Sequence, residues 1–553
     1  MKLPGTIIFL SLAVLLCGCS HRDRDERAAK VDDLFAPWSS PRSPGCAVGV
    51  LRNGEFLLRR GYGSADLNHH DLIGPNTVFD LASMSKQFTA ASIGILVTQG
   101  KLSLEDDVRK YLPELPDYGD KILVRDLVYH TSGLRDYISL TEDLSDFHSA
   151  ATPTKHDYLD LLVRQKALNF PPGTQFSYNN SNYFLLGIIV ERVTGMSLRE
   201  FADKNIFEPL GMHHTHFEDS PSEVVDRQAI GYEPAGVGFW GPRFSPAEVS
   251  FAEVGDGGLF TTLDDLALWD QESYVGRLGG AKLRSLLLTT GGLRDGSKLN
   301  YAFGLYVAPS RRGLEVYHSG NDFGFRTRMV RYPEYHASVV ILCNLSTIST
   351  DTLARSIGNI YLGEPSPIPA RQGLVSREIL NQMEGSFRDP STSGIWVFKV
   401  RDGQLVANLL GIPGERVLLP TAPLSFSTSN EMFKAVFSPS SGSVEIAENN
   451  APPRVFSRVE LAQPRNLNEY VGRYYNDELD ATYEFAVRDG ALTVVRPKVA
   501  AAPLAPTIAD GFTGYGNYFL FQRSADNSVV GFRLSENTGR VRNIIFRKIA
   551  ENH

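Results

Sequence analysis

The chain has 553 residues, 42% of them hydrophobic and 21% charged, with a formal net charge of -8 and a pI near 5.9. That length exceeds what one hydrophobic core supports, so about two to four domains are expected, and the composition is that of a globular protein with a well-packed interior. The acidic balance argues against a nucleic-acid partner, which would need a basic stripe.

Lys2 supplies a short positive start, and Ile7 to Leu16 is an apolar run too short to span a bilayer comfortably. The run ends in Leu16-Cys17-Gly18-Cys19. A small residue before a cysteine, straight after an apolar run, resembles a bacterial lipoprotein signal. The resemblance implies a signal peptide over 1–18, cleavage before Cys19 and lipidation of its sulfur. The protein would then be exported and held to the bacterial membrane through a lipid anchor, on the periplasmic or cell-surface side. A plain signal peptide cut at a small-residue site and an uncleaved anchor are the alternatives. The charged stretch Ser20 to Arg27 reads as part of a solvated tether over 19–30. Beyond the signal, Cys46 and Cys343 each sit inside a strand-like run and are expected as buried free thiols. A disulfide between neighbouring strands is the alternative in an oxidising compartment.

Residues 31–365 read as one α/β (α+β) unit, an antiparallel sheet flanked by helices. It opens with a hairpin, Cys46–Arg52 and Glu55–Gly61 around the turn Asn53-Gly54. Helical apolar patterns follow over Ser83–Gln99, stopping at Gly100, and over Asn182–Thr194, stopping at Gly195. Strand-like runs come late, at Tyr301–Val307, Leu314–His318, Arg326–Tyr332 and Ser338–Asn344, and a helix Thr350–Tyr361 closes the unit. Strands first, helices between and strands last predict a sheet in which the two ends of the segment meet.

A stiff linker, Pro365 to Pro369, precedes short alternating runs that contain an internal repeat. Gly385-Ser386-Phe387 matches Gly472-Arg473-Tyr474, and Arg401-Asp402-Gly403 matches Arg488-Asp489-Gly490, both at an offset of 87 residues. Two small antiparallel β-barrels in tandem are expected, over 372–460 and 463–550.

The chemistry centres on Ser83-Met84-Ser85-Lys86. A serine hydroxyl needs a base beside it to act as a nucleophile at neutral pH. A lysine three residues on, at the opening of a helix, lies on the same face within hydrogen-bond reach. Alone, the pair would read as an N-capping serine and a surface lysine. Tyr178-Asn179-Asn180 follows Pro171-Pro172-Gly173, so it falls in a loop before a helix. There a tyrosine can share a proton with a lysine, and Asn180 can hold a substrate amide. His318-Ser319-Gly320 ends a strand-like run. The backbone N–H groups of Ser83 and Asn321 are then candidate oxyanion donors, and Gly320 is expected to let a substrate backbone approach. Ser85 is a weaker rival nucleophile, lacking a lysine three residues on. His130 reads as a loop-ordering residue, and His213, His214 and His216 as structural.

In this order S-x-x-K, Y-x-N and H-x-G resemble the motifs of the penicillin-recognising serine hydrolases. Tyrosine in the second motif is similar to the class C β-lactamase branch, which includes D-alanyl-D-alanine carboxypeptidases, D-aminopeptidases and esterases. Leu127 to Leu134, Gly257 to Thr262 and Gly320 to Phe325 share the likeness. The resemblance covers about 40–365 and implies a β-lactamase-like catalytic domain with no metal and no cofactor. It makes Ser83 the acylated nucleophile, Lys86 and Tyr178 the proton-handling pair, Asn180 a substrate contact and His318 part of the binding strand. Many relatives carry lysine where His318 stands, so strong β-lactamase activity is not expected. The favoured substrates are small peptides and D-amino-acid amides or esters, cleaved by D-aminopeptidase or D,D-peptidase action. An esterase or weak β-lactamase is the alternative among enzymes, and a non-catalytic peptidoglycan- or ligand-binding protein the rival. A tail of two barrels looks like that of D-aminopeptidases, in which a loop of the last barrel reaches the active site. Pro497–Gly511 is the candidate for that loop.

Overall fold

A computed structural model describes residues 25–145, 153–220, 223–238, 241–247, 254–365, 375–429, 431–448, 451–464, 466–496 and 499–550. The signal expected over 1–18, Cys19 and most of the proline-rich linker lie outside them. The chain divides into two compact units. One comprises Met1–Ser103, Phe184–Thr290 and Tyr301–Pro367, and the other Leu104–Tyr183, Gly291–Asn300 and Ile368–His553. Residues 104–183 thus group with the C-terminal barrels and not with the rest of 31–365.

In the first unit the hairpin forms as the sequence indicates, from β1 (Cys46–Arg52) and β2 (Glu55–Tyr62). Asn53 and Gly54 have φ of +52° and +80°, the type I′ geometry whose twist matches that of paired strands. A short strand β3 (Phe79–Asp80) leads to helix α1 (Lys86–Thr98), and β4 (His216–Phe217) and β5 (Leu259–Thr261) join β3 in a three-stranded sheet of order β3-β5-β4. The late strands are β6 (Tyr306–Ser310), β7 (Gly313–Asp322), β8 (Phe325–Tyr332) and β9 (Ala337–Cys343), followed by helix α2 (Thr350–Leu362). With the hairpin they form one sheet of order β6-β7-β8-β9-β1-β2. The last strand pairs antiparallel with the first, from Cys46 opposite Cys343 to Arg52 opposite Ala337. β9 is buried throughout and β1 at all but its last residue, the pattern of central strands covered on both faces.

Three expectations change. Cys46 and Cys343 form a disulfide and are not free thiols; the pairing register sets them directly opposite, with Cα atoms 4.0 Å apart, and register is invisible in two separate apolar runs. The tether expected over 19–30 is helical from residue 25, because Ala28, Val31 and Phe35 are spaced to bury one helical face in the sheet core. The strand expected over Tyr301–Val307 begins at Tyr306. Before it, Ala302 N–H bonds the Leu305 carbonyl at 2.8 Å in a tight turn with Gly304 at φ +67°. Tyr301, Phe303 and Leu305 alternate like a strand but are buried in that turn.

In the second unit both barrels are present. Eight strands from Gly385–Arg388 to Arg454–Val459 close into a barrel, and nine from Gly472–Asn476 to Ile544–Ile549 form a second sheet that nearly closes. The repeat marks equivalent hairpins. Asp402-Gly403 and Asp489-Gly490 both have positive φ at each residue, so each is a two-residue type I′ turn. Pro497–Gly511 is not a free loop: Val499–Pro503 and Ala505–Pro506 are strands at the two edges of the second sheet. Other parts of that barrel meet residues 104–183. Arg135 and Glu478 form an ion pair of 2.6 Å with side chains 3% and 9% exposed, and Tyr483 donates its hydroxyl to the Leu144 carbonyl.

The disulfide gives the first prediction. Replacing Cys46 and Cys343 together by alanine should lower the unfolding free energy by about 2–4 kcal/mol. Thermal unfolding with and without a reductant checks it: the parent should lose stability on reduction and the double variant should not respond.

Candidate active site

Ser83 stands on a turn held from several directions. β3 pairs Asp80 with Phe260, and the Leu81 N–H bonds the Leu259 carbonyl at 2.9 Å. Ala82 then takes φ +49°, a strained value for a residue with a side chain. The buried carboxyl of Asp80 accepts the Ala82 N–H at 2.7 Å. Burial pushes that carboxyl up to about 6, against the pull of this hydrogen bond. Residues Ala82–Ser85 form a 3₁₀ turn, and the α-helix starts only at Lys86. This differs from the helix expected from Ser83, and it improves the geometry. Side chains three apart eclipse on a 3₁₀ turn, and the Lys86 ammonium reaches the Ser83 hydroxyl at 3.1 Å.

Lys86 is wholly buried. Its ammonium also donates to the Asp256 carbonyl at 2.6 Å, so a charge cut off from water is met by a backbone dipole. Ser83 is partly exposed between the buried Ala82 and Met84. Ser85 is fully buried; its hydroxyl donates to the Ala82 carbonyl at 2.6 Å and accepts the Leu259 N–H at 3.1 Å. It braces the turn from inside.

β7 lies against this turn. Its side chains alternate across the sheet. The Ser319 hydroxyl accepts from Arg328, which pairs with Asp351 at 2.8 Å. Gly320 faces the turn: a Cβ there would stand 2.1 Å from the Leu81 carbonyl oxygen and 2.3 Å from the Thr327 hydroxyl. Thr327 itself donates to that carbonyl at 2.8 Å. Gly320 therefore admits the turn that carries Ser83, where the sequence alone suggests room for substrate. Asn321 follows and is exposed. The imidazole of His318 is 3% exposed. Its Nδ1 donates to the Ser319 carbonyl at 2.7 Å, leaving Nε2 to accept from the Tyr301 hydroxyl at 3.2 Å. Burial, with the charges of Lys86 and Arg328, pushes its pKa down to about 3. The ring is neutral at physiological pH.

Tyr178 and Asn180 belong to the second unit. Their loop is pinned by residues 130–137. His130, at φ +57°, accepts the Asn179 N–H on Nδ1 at 3.2 Å, and its ring lies 4.5 Å from that of Tyr178. The Asn180 N–H bonds the Asp136 carboxylate at 2.6 Å, and the Ser181 hydroxyl donates to the Arg135 carbonyl at 2.7 Å. His130 thus orders this loop. Arg540 places its guanidinium 5.3 Å from the centre of the Tyr178 ring. Asp80, Tyr301 and Arg540 were not singled out from sequence. Asp80, three residues before Ser83, carried the clearest overlooked signal.

No three His, Cys, Asp or Glu side chains cluster as metal ligands among the described residues. In the histidine-rich loop, the His214 N–H bonds Asp265 and the His216 ring stacks on Phe260.

Comparison with known proteins adds the following. A family model described as Beta-lactamase matches residues 28–358. A D-aminopeptidase of Cereibacter sphaeroides is 28% identical over 455 residues, 81% of this chain and 83% of that one. A penicillin-binding protein of Bacillus subtilis is 30% identical over 338 residues, 59% of this chain and 74% of that one. Among solved structures, the octameric penicillin-binding protein homologue from Pyrococcus abyssi aligns with a TM-score of 0.54 at 22% identity, over 86% of this chain and 99% of that one.

Two predictions follow from the geometry. Gly320→Ala should cost about 1–3 kcal/mol, because the new methyl meets backbone and not a flexible side-chain end; denaturant unfolding measures it. His318 titrates near 6.5 when unfolded and about 3 when folded. Its contribution is therefore complete above pH 6.5 and is lost as the pH falls toward 3. Over that window the parent's unfolding free energy should fall by up to about 1.4 kcal/mol per pH unit more than that of His318→Gln, read from unfolding curves at pH 7.5, 5.5 and 4.5.

Proposed function

Because the chain belongs to the Beta-lactamase family, whose model spans residues 28–358, we propose that Ser83 is its acylated nucleophile and that Lys86 and Tyr178 handle the proton. The chain is a serine hydrolase of the β-lactamase fold. The observation that carries the assignment is the buried Lys86 ammonium at 3.1 Å from the Ser83 hydroxyl.

On this reading the Ser83 oxygen attacks the substrate carbonyl and gives its proton to the Lys86–Tyr178 pair. The carbonyl oxygen takes up the negative charge, facing the N–H groups of Ser83 and Asn321, each typically worth about 2.7–4 kcal/mol in the transition state. As the carbon–nitrogen or carbon–oxygen bond breaks, the pair returns the proton to the leaving group. Water then attacks the acyl-Ser83 carbonyl, passes a proton through the same pair to the serine oxygen and releases the acid. Asn180 holds the substrate amide, and Gly320 keeps the binding strand against the turn.

The favoured substrates are small peptides containing D-residues and D-amino-acid amides or esters. The likeness to a D-aminopeptidase over 81% of the chain supports this. So does the neutral His318, which offers a substrate carboxylate no permanent charge. An esterase or weak β-lactamase is the second reading, favoured by the same neutral strand. We further propose that the protein is exported and anchored through lipid on Cys19; the Cys46–Cys343 disulfide is in keeping with an oxidising compartment.

Labelling with a fluorophosphonate tests the nucleophile. Ser83→Ala should lose labelling and turnover entirely, whereas Ser85→Ala should lose stability but keep labelling. A Ser83→Ala variant as active as the parent would sink the assignment. Rates on D-alanine amide, a D-Ala-D-Ala peptide, nitrocefin and a short-chain ester, compared on one preparation, rank the substrate classes; fastest turnover of nitrocefin would overturn the proposed preference.

A further inference from the structure

We propose that Arg540, carried by the last hairpin of the C-terminal barrel, is a positioning residue for Tyr178 that fixes the phenol ring and favours its deprotonated form. The proposal rests on the reading that Tyr178 handles the proton.

The loop at 537–543 joins the strands Val529–Glu536 and Ile544–Ile549. Its own hydrogen bonds shape it: the Glu536 N–H bonds the Val541 carbonyl, the Gly539 N–H bonds the Glu536 carbonyl, and Gly539 takes φ +72°. Residues 104–183 then hold it by both ends. The Arg540 carbonyl accepts from the Asn169 amide at 2.7 Å and from the Asp136 N–H at 3.2 Å. The Arg542 N–H donates to the Asn169 side-chain Oδ1 at 2.9 Å, and its guanidinium donates to Gln175 at 2.8 Å and covers the Phe170 ring at 5.1 Å. With the backbone on either side fixed, the Arg540 side chain extends over Tyr178, its guanidinium 5.3 Å from the ring centre.

A cation over an aromatic face is attracted to the ring quadrupole. It is attracted more strongly to the same ring carrying a phenolate charge, so it favours the base form. Two neighbouring groups among the described residues act differently. The His130 ring, 4.5 Å away, accepts the Asn179 N–H on Nδ1 and so holds that nitrogen unprotonated. Asp136 is an anion and disfavours phenolate, but its oxygens accept the N–H groups of Asn180 and Ser139. Lys86 is the remaining charge that the proposed mechanism brings to the phenol, and it must give and take the proton itself. Arg540 is a cation that stays charged throughout the cycle. The barrel thereby supplies a fixed charge that the catalytic motifs lack.

The test uses the full chain with Arg540→Gln, Arg540→Ala and Arg540→Lys. Fluorophosphonate labelling counts competent sites, so rates are read per folded enzyme, and the main-chain anchors of residue 540 survive every substitution. The neutral variants should move the acid limb of the kcat/KM profile up by roughly half to one pH unit. At pH 7 kcat should fall about threefold to tenfold, with KM nearly unchanged and activity recovered at high pH. Arg540→Lys should keep the parent's limb. An unmoved limb in both neutral variants overturns the proposal, as does a lysine variant that shifts as far as glutamine. Tyr178→Phe separates the two readings. If it is inactive while the neutral variants keep the parent's limb, only the role of Arg540 falls; if it is fully active, the phenol is no part of the machinery and both fall.

Discussion

The carbonyl of Leu81 is the point at which the turn that carries Ser83, the proposed nucleophile, is set. It accepts the Met84 N–H, which closes the 3₁₀ turn, and the Thr327 hydroxyl, which ties that turn to β8. Gly320 makes the second bond geometrically possible by leaving out a side chain. On the opposite side, Leu259 bonds both the Leu81 N–H and the Ser85 hydroxyl. The turn is thus clamped between a six-stranded and a three-stranded sheet. That clamp is what lets Ala82 persist at φ +49°, a conformation costing on the order of 1–3 kcal/mol. Rigidity here has a chemical purpose, since a displacement of one ångström at a nucleophile can cost about a hundredfold in rate.

Around the clamp, three buried titratable groups are handled in three ways. Lys86 is met by a backbone carbonyl and the serine hydroxyl. His318 donates to a neighbouring carbonyl and accepts from Tyr301, which holds it neutral. Asp80 caps the Ala82 N–H while burial raises it to about 6. β7 consequently faces the serine without a permanent charge from His318, and on its other side Arg328 is paired with Asp351.

What depends on local spacing was legible. Ser83 and Lys86 meet through a single turn, and the Asp-Gly pairs of the repeat announce two-residue hairpins that the structure contains. What was illegible depends on register and on distant packing. Nothing in the run around Cys46 says which residue of β9 will stand opposite, so the disulfide could stand only as the alternative to free thiols. Gly320 looked like a place for substrate because the approach of Leu81 arises only when two sheets pack. Pro497–Gly511 looked like a reaching loop because its prolines and alanines hide the edge strands Val499–Pro503 and Ala505–Pro506, while the segment around Arg540, one of those that meet residues 104–183, is short and carries no length signal. The helical start at residue 25 was masked by charge: Ala28, Val31 and Phe35 are spaced correctly, but the surrounding residues read as solvated.

The bridge between Cys46 and Cys343 has a sequence separation of 297. It turns the whole stretch from the first central strand to the last into a covalent ring. Within that ring a single cut of the backbone releases nothing: both pieces stay tied at the sheet, and the severed ends remain close enough to re-dock. After a first nick the turn that carries Ser83 would stay seated on β7, and the ring would come apart only at a second cut or on reduction.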